Sequence, residues 1–219
     1  MRIAMLCALA LALLGGFSGA VLAEPGASLA IKGGVNWATL QIDPDDAADL
    51  ESWMRPGGGI CISLPLDPKI WLDIDVLYLQ KGALQVHDEM LELNDTEWRL
   101  NYAVVAPMLR LVPGGMATGP YLIGGAEIGY LVDWEIVYDD GSGGEESYSE
   151  DDVFEDLDYS VTVGAGLQFV GSGSASFFLE GRYTLGMQNI SSPREDAQRI
   201  DQQVEIKTQG IYALAGIRF

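Results

Sequence analysis

Few residues in this chain have the type and spacing for chemistry. His87 is its single histidine, set in "ALQVHDEMLEL" beside Asp88 and Glu89. A hydrolytic Ser–His–acid set needs a histidine base within reach of a nucleophile, and no serine lies near His87 in sequence. It reads as a solvated loop histidine whose acidic neighbours favour its charged form. The stretch "DDGSGGEESYSEDDVFEDLD" offers many carboxylates, the oxygen ligands that hard cations take, but it lacks EF-hand spacing. It reads as a solvated loop with weak divalent-cation binding. Asp73, Asp75, Glu127 and Glu180 admit an acid–base reading, but packed ion pairs with Lys32, Arg99 and Arg182 are the simpler one. Phosphate-cradling glycine loops, metal-ligand clusters and redox cysteine pairs do not occur. The sequence therefore predicts no catalytic residue, no cofactor and no metal centre.

The elements that must position these side chains begin after an address label. Residues 1–23, "MRIAMLCALALALLGGFSGAVLA", place Arg2 before an apolar run and Val21-Leu22-Ala23 at its end. That is a secretory signal peptide with an A-x-A-like cleavage site before Glu24. Cys7 lies inside the apolar run, which argues against a lipoprotein. Residues 24–219 then form one domain whose single cysteine, Cys61, has no intramolecular partner for a disulfide. No later apolar run reaches the length of a spanning helix, so the mature chain is either soluble or a β-barrel in a membrane. The formal charge of −20 excludes nucleic acid as a partner, since phosphate binding needs clustered Lys and Arg. Segments 41–56, 84–97, 139–158 and 188–205 carry 24 of the 32 acids and only Arg55, Arg194 and Arg199 as bases.

Between these acidic segments the polarity alternates with period two, the mark of strands. "SLAIKGGVNW" sets Leu29, Ile31, Val35 and Trp37 against Lys32 and Asn36; "IWLDIDVLYLQKG" sets Ile74, Val76 and Tyr78 against Asp73 and Asp75. "WRLNYAVVA" opposes Trp98, Leu100, Tyr102 and Val104 to Arg99 and Asn101, with the register uncertain beyond Ala106 because of Pro107. "YLIGGAEIGYLVDWEIVY" opposes Leu122, Ile128, Tyr130 and Trp134 to Glu127, Asp133 and Glu135. With "GICISLPL", "LDYSVTVGAGLQF", "FFLEGRYTLGM" and the terminal "IYALAGIRF", eight strands result. "LDPK", "PGGMATG" and "GSGS" are short turns, and the acidic segments are the long connections between the other strand ends.

Alternation alone does not say which face meets water, so the aromatics arbitrate. Threaded up and down, the strands place Trp37, Tyr78, Trp98, Trp134, Tyr159 and Tyr183 near the long-loop end of the apolar face. Phe169, Phe177 and Phe219 fall near its short-turn end. Two aromatic rings flanking an apolar band form the girdle of a lipid-facing barrel. The polar face then lines the lumen with Lys32, Asp73, Asp75, Arg99, Glu127, Asp133, Glu135, Glu180 and Arg182. Eight strands enclose a space that side chains fill, so a plugged barrel is expected. Its last strand must pair with its first to abolish open edges.

These segments resemble the bacterial outer-membrane β-barrel domain family that includes PorT-like proteins. The resemblance rests on "IKGGVNWATL", "LDIDVLYLQKG", "LNYAVVAPMLRL", "GPYLIGGAEIGYLV", "LEGRYTLGMQNI" and the terminal "AGIRF". It departs from the usual assembly signal at Leu214, where a glycine is expected. The resemblance implies an all-β, eight-stranded antiparallel up-and-down barrel in the bacterial outer membrane, inserted by the barrel-assembly machinery. It implies little about activity. The reading is a monomeric, non-enzymatic barrel in outer-membrane lipid with a structural or interaction role. The alternatives are a narrow channel or small-solute transporter, a lipid-modifying enzyme relying on His87, and a soluble lipocalin-like binder.

Overall fold

The computed structural model describes residues 26–43, 50–85, 96–114, 118–139, 145–148, 155–171, 175–190 and 205–219. The signal segment, His87 and most of the acidic stretches, with the divalent-cation site expected there, lie outside the described residues. Ten strands follow in order: β1 (Ser28–Asp43), β2 (Leu50–Glu51), β3 (Trp53–Asp67), β4 (Ile70–Gln85), β5 (Thr96–Leu111), β6 (Gly119–Asp139), β7 (Glu145–Tyr148), β8 (Leu157–Val170), β9 (Ser176–Gly186) and β10 (Glu205–Arg218). The short β2 and β7 extend the ends of β4 and β6. The other eight pair antiparallel, each with the next, and β10 returns to β1. The molecule is a closed eight-stranded barrel.

Closure is carried by the terminal segment. β10 pairs with β1 from Ala30↔Arg218 to Asp43↔Glu205. Beyond the Ala30↔Arg218 pair, Leu29 and Phe219 exchange both backbone hydrogen bonds, at 3.3 and 2.8 Å. The short turns after β3, β5 and β8 lie at the same end as this seam. The turn after β3 is tightened where the Lys69 amide donates to Asp67 Oδ1 at 3.1 Å, the local bond that makes Asp a turn residue.

Side chains obey the two-residue period. In β8 and β9, Asp158, Ser160, Thr162, Glu180, Arg182 and Thr184 are buried while Tyr159, Val161, Leu179, Tyr183 and Leu185 are exposed. The outer wall carries Ile31 at 58 % exposure, Val163 at 57 % and Leu179 at 57 %, whereas Asp73, Asp75 and Glu127 in the lumen are at 0 %. Apolar outside and charged inside reverses the order of a soluble barrel and matches one whose wall meets lipid.

Two strands correct the sequence reading. In β5 the inward residues are Leu100, Tyr102, Val104, Ala106, Met108 and Arg110, while Leu109 and Leu111 face out. Both faces of "LNYAVVAPMLRL" are apolar, so Arg99 and Asn101 were a poor guide to the inside. The inward cation is Arg110, which reaches diagonally across the strand pair to Asp73. Parity runs unbroken through Pro107, which points outward and so removes no luminal contact. Its missing N–H is felt on one side only: pairing with β6 runs on either side of it, at Val105↔Ile128 and Met108↔Gly125. In β6 a bulge opposes Asn101–Tyr102 to Leu131–Asp133, leaving Val132 as the extra residue. Above it the faces exchange, so Trp134 turns inward at 5 % exposure and Asp133 is exposed.

The β5 assignment predicts a labelling contrast in membranes. Val105→Cys will react with a lipid-soluble maleimide and Val104→Cys will stay protected, with buried Cys61 silent in both. The reverse pattern would restore the other face of β5.

Candidate functional site

The lumen brings together five cations and five carboxylates among the described residues: Lys32, Lys81, Arg110, Arg182 and Arg218 with Asp73, Asp75, Glu127, Asp158 and Glu180. All ten are at most 6 % exposed. Burial of an ion is tolerated when it is paired and hydrogen-bonded, and these residues are arranged in layers that hydrogen-bond most of their polar atoms, with Asp75 Oδ1, Arg182 Nη1 and Arg218 Nε the exceptions.

At the short-turn end, Arg110 bonds Asp73 through Nε at 2.8 Å and Nη2 at 3.3 Å. Arg218 reaches the same carboxylate at 3.5 Å and donates to Gln168 Oε1 at 2.6 Å. The Arg110 guanidinium lies over the Trp71 ring at 4.9 Å, and Arg218 over Phe178 at 5.2 Å. The middle layer is a quartet. Lys32 Nζ sits 2.9 Å from Asp75 and 3.5 Å from Glu180, and Arg182 bridges the same two carboxylates at 2.5 and 2.7 Å. Tyr121 donates to the other oxygen of Glu180 at 2.8 Å.

Above the quartet, Glu127 accepts from the hydroxyls of Thr162, Thr184 and Tyr212 at 2.8, 3.3 and 3.3 Å. Higher still, Asp158 takes Lys81 at 2.8 Å, Thr208 at 2.9 Å and Ser160 at 3.4 Å. Near the long-loop mouth, Leu40, Leu79, Leu100, Leu131, Trp134 and Ile190 join the buried apolar cluster. Ile190 is held there by backbone bonds to Glu155 and Ile206, both at 2.9 Å.

Glycines make room for the larger members. A Cβ at Gly166 would lie 2.2 Å from the Tyr121 ring, and one at Gly216 would lie 2.3 Å from Phe178. Each bulky side chain therefore stacks on bare backbone of a neighbouring strand, where any other residue would expel it.

The predicted luminal residues fall into two groups. Lys32, Asp73, Asp75, Glu127, Glu180 and Arg182 lie in the network. Arg99, Asp133 and Glu135 do not. Arg99 sits on the face of β5 opposite Leu100, bonding Glu135 at 2.9 Å and Glu97 at 2.7 Å, with Arg55 against Glu97 near the long-loop end. The inverted parity of β5 and the β6 bulge put them there. Lys81, Arg110, Asp158 and Arg218 are the additional members. Extending the Asp73–Asp75 alternation six residues would have found Lys81; for Arg110 the sequence held no such signal.

The predicted aromatic set divides likewise. Trp37, Tyr78, Tyr159 and Tyr183 are exposed on the wall toward the long loops, and Phe169, Phe177 and Phe219 toward the short turns. Trp98 packs against the buried cluster and Trp134 belongs to it, so neither stands on the outer wall.

The luminal groups are bonded largely to one another and are buried. Among the described residues no group of His, Cys, Asp and Glu could hold a metal ion. Cys61 is a free, buried thiol, 3.7 Å from Ser63.

A closed barrel with an apolar wall, a filled charged lumen, short turns at one end and long loops at the other defines the class of small transmembrane β-barrels. The chain belongs to the outer membrane protein beta-barrel domain family, whose model matches residues 26–192, and it is a protein of the bacterial outer membrane. The fold is similar to that of Neisserial surface protein A, at 12 % identity over 88 % of this chain and 97 % of that one, with a TM-score of 0.48. OprG from Pseudomonas aeruginosa is similar at 14 % identity over 88 % and 96 %, TM-score 0.45. Ail, the attachment invasion locus protein of Yersinia pestis, is similar at 16 % over 88 % and 99 %, TM-score 0.42. No curated protein matches.

The two positions of arginine predict unequal effects on stability. Arg182→Ala leaves Asp75 and Glu180 short of their main partner and will destabilise the barrel by about 3–5 kcal/mol. Arg99→Ala removes a part-exposed pair and will cost roughly 1 kcal/mol or less. Reversible unfolding in guanidinium with lipid vesicles, followed by gel mobility of unboiled samples, measures both.

Proposed function

We propose that this protein is a closed, non-catalytic scaffold of the outer membrane that meets other molecules through its acidic long-loop segments and not through a pore. The observation that carries the reading is the charge-balanced lumen, whose ten charged side chains are taken up by one another and by luminal hydroxyls. A conducting path needs groups left free to exchange with water and ions. Here the layers from Arg110 to Lys81 are bonded across the lumen, with an apolar layer above. An enzyme needs an accessible site, and these groups have none.

On this reading the wall is solvated by outer-membrane lipid, the barrel-assembly machinery inserts the chain, and the barrel works as a monomer. The acids of segments 41–56, 84–97, 139–158 and 188–205 form an anionic display at the cell surface. There they bind divalent cations weakly, because carboxylates and lipopolysaccharide phosphates otherwise repel each other.

Planar-bilayer recording of the refolded protein tests the closed lumen. The expected trace is flat, with no unitary steps above the lipid baseline at either polarity. Reproducible steps that change when Arg182 or Lys81 is replaced would establish a channel and sink this reading.

A further inference from the structure

The outer wall is not a uniform apolar belt. Across β8, β9 and β10 the outward positions Ala165, Gly181 and Ala213 stand side by side in the hydrogen-bonding direction. They form the floor of a groove of about 730 Å³ on the outside of the barrel. Its bank toward the short turns is taller, formed by Leu167 and Leu179, themselves a cross-strand pair, with Leu122 beside them. Gly181 is fully open, since a Cβ built on it meets nothing within 4 Å.

From the proposed placement of this protein as a barrel solvated by lipid, we infer that the groove seats one acyl chain of a phospholipid from the periplasmic leaflet. Three features commit the groove to this occupant. Its surface is continuous with the exposed apolar wall, where Leu122, Leu167 and Leu179 are 54 %, 47 % and 57 % exposed, so what lies in it is what solvates the wall. Its floor is five residues from the short-turn ends of β8, β9 and β10, and short turns mark the periplasmic side; that leaflet holds phospholipid and not lipopolysaccharide. Its lining is mainly apolar, the side chains of Tyr121 and Glu180 being bonded to each other inside the lumen, and it holds no cation, which suits a hydrocarbon chain and offers nothing to a phosphate. A preformed concave site spans about three strand spacings, roughly 14 Å. It meets more of a flexible chain than a flat wall does, and because the chain leaves hydrocarbon and not water, van der Waals packing is what holds it there.

The test fills the groove. In Gly181→Phe the ring enters the groove from a position with no protein neighbour, so the barrel folds normally. Delipidated wild type and variant, with folding checked by heat-modifiable mobility, are titrated with phosphatidylethanolamine in mild detergent and read by native mass spectrometry. Saturating one-to-one binding by the wild type, weakened at least tenfold in Gly181→Phe, supports the site. Equal binding by the two proteins, or none by the wild type, overturns it. So does a disulfide-linked dimer of Gly181→Cys in membranes, which would give the groove to a second copy. A failure of lipid binding with a flat bilayer trace would remove the groove site and leave the closed scaffold standing.

Discussion

Everything in this molecule follows from the requirement that no backbone N–H or C=O be left unpaired in hydrocarbon. A sheet meets it only by closing, and closure here depends on the seam between β1 and β10, bonded out to Leu29 and Phe219. Once eight strands close, the lumen is narrow, and its width is no longer a free variable. The interior must then be filled by side chains, and the alternation that puts apolar residues in lipid sends the polar ones inside. The charge network is thus a consequence of closure, and its pairing is the condition for tolerating it.

That condition shapes the interior in detail. Burying ions does not stabilise a fold by itself, because desolvation offsets the attraction. What the network provides is specificity of register: slipping β4 by one residue would turn Asp73, Asp75 and Lys81 into lipid and strand their partners. Stability is better sought in the closed backbone and in the apolar layer of Leu40, Leu79, Leu100, Leu131, Trp134 and Ile190.

The sequence reveals this architecture unevenly, for physical reasons. Strand number, turn placement and the inward set of β1, β4, β8 and β9 are legible because each pairs a charged face with an apolar one. In β5 the contrast vanishes: Ala103, Val104, Val105 and Ala106 are alike in polarity, and only the long-range partner of Arg110 decides the parity. The β6 bulge is invisible to any strict period, since the extra residue Val132 simply continues the apolar alternation of Ile128 and Tyr130. Pairings such as Lys32 with Glu180, 148 residues apart in sequence, come from strand order and shear, which local patterns do not carry.

One further property follows from the even count of charges inside. Among the described residues, five bases and five acids cancel within the wall, so this network contributes nothing to the formal charge of −20. The entire net charge therefore belongs to residues outside this network, and most of the acids lie in the segments joining the long-loop ends. On the proposed placement of those segments, the far field of the protein is that of a near-neutral cylinder with a negative end. Its range above the membrane is set by the salt around it, about 8 Å at physiological ionic strength, and not by anything the barrel itself can adjust.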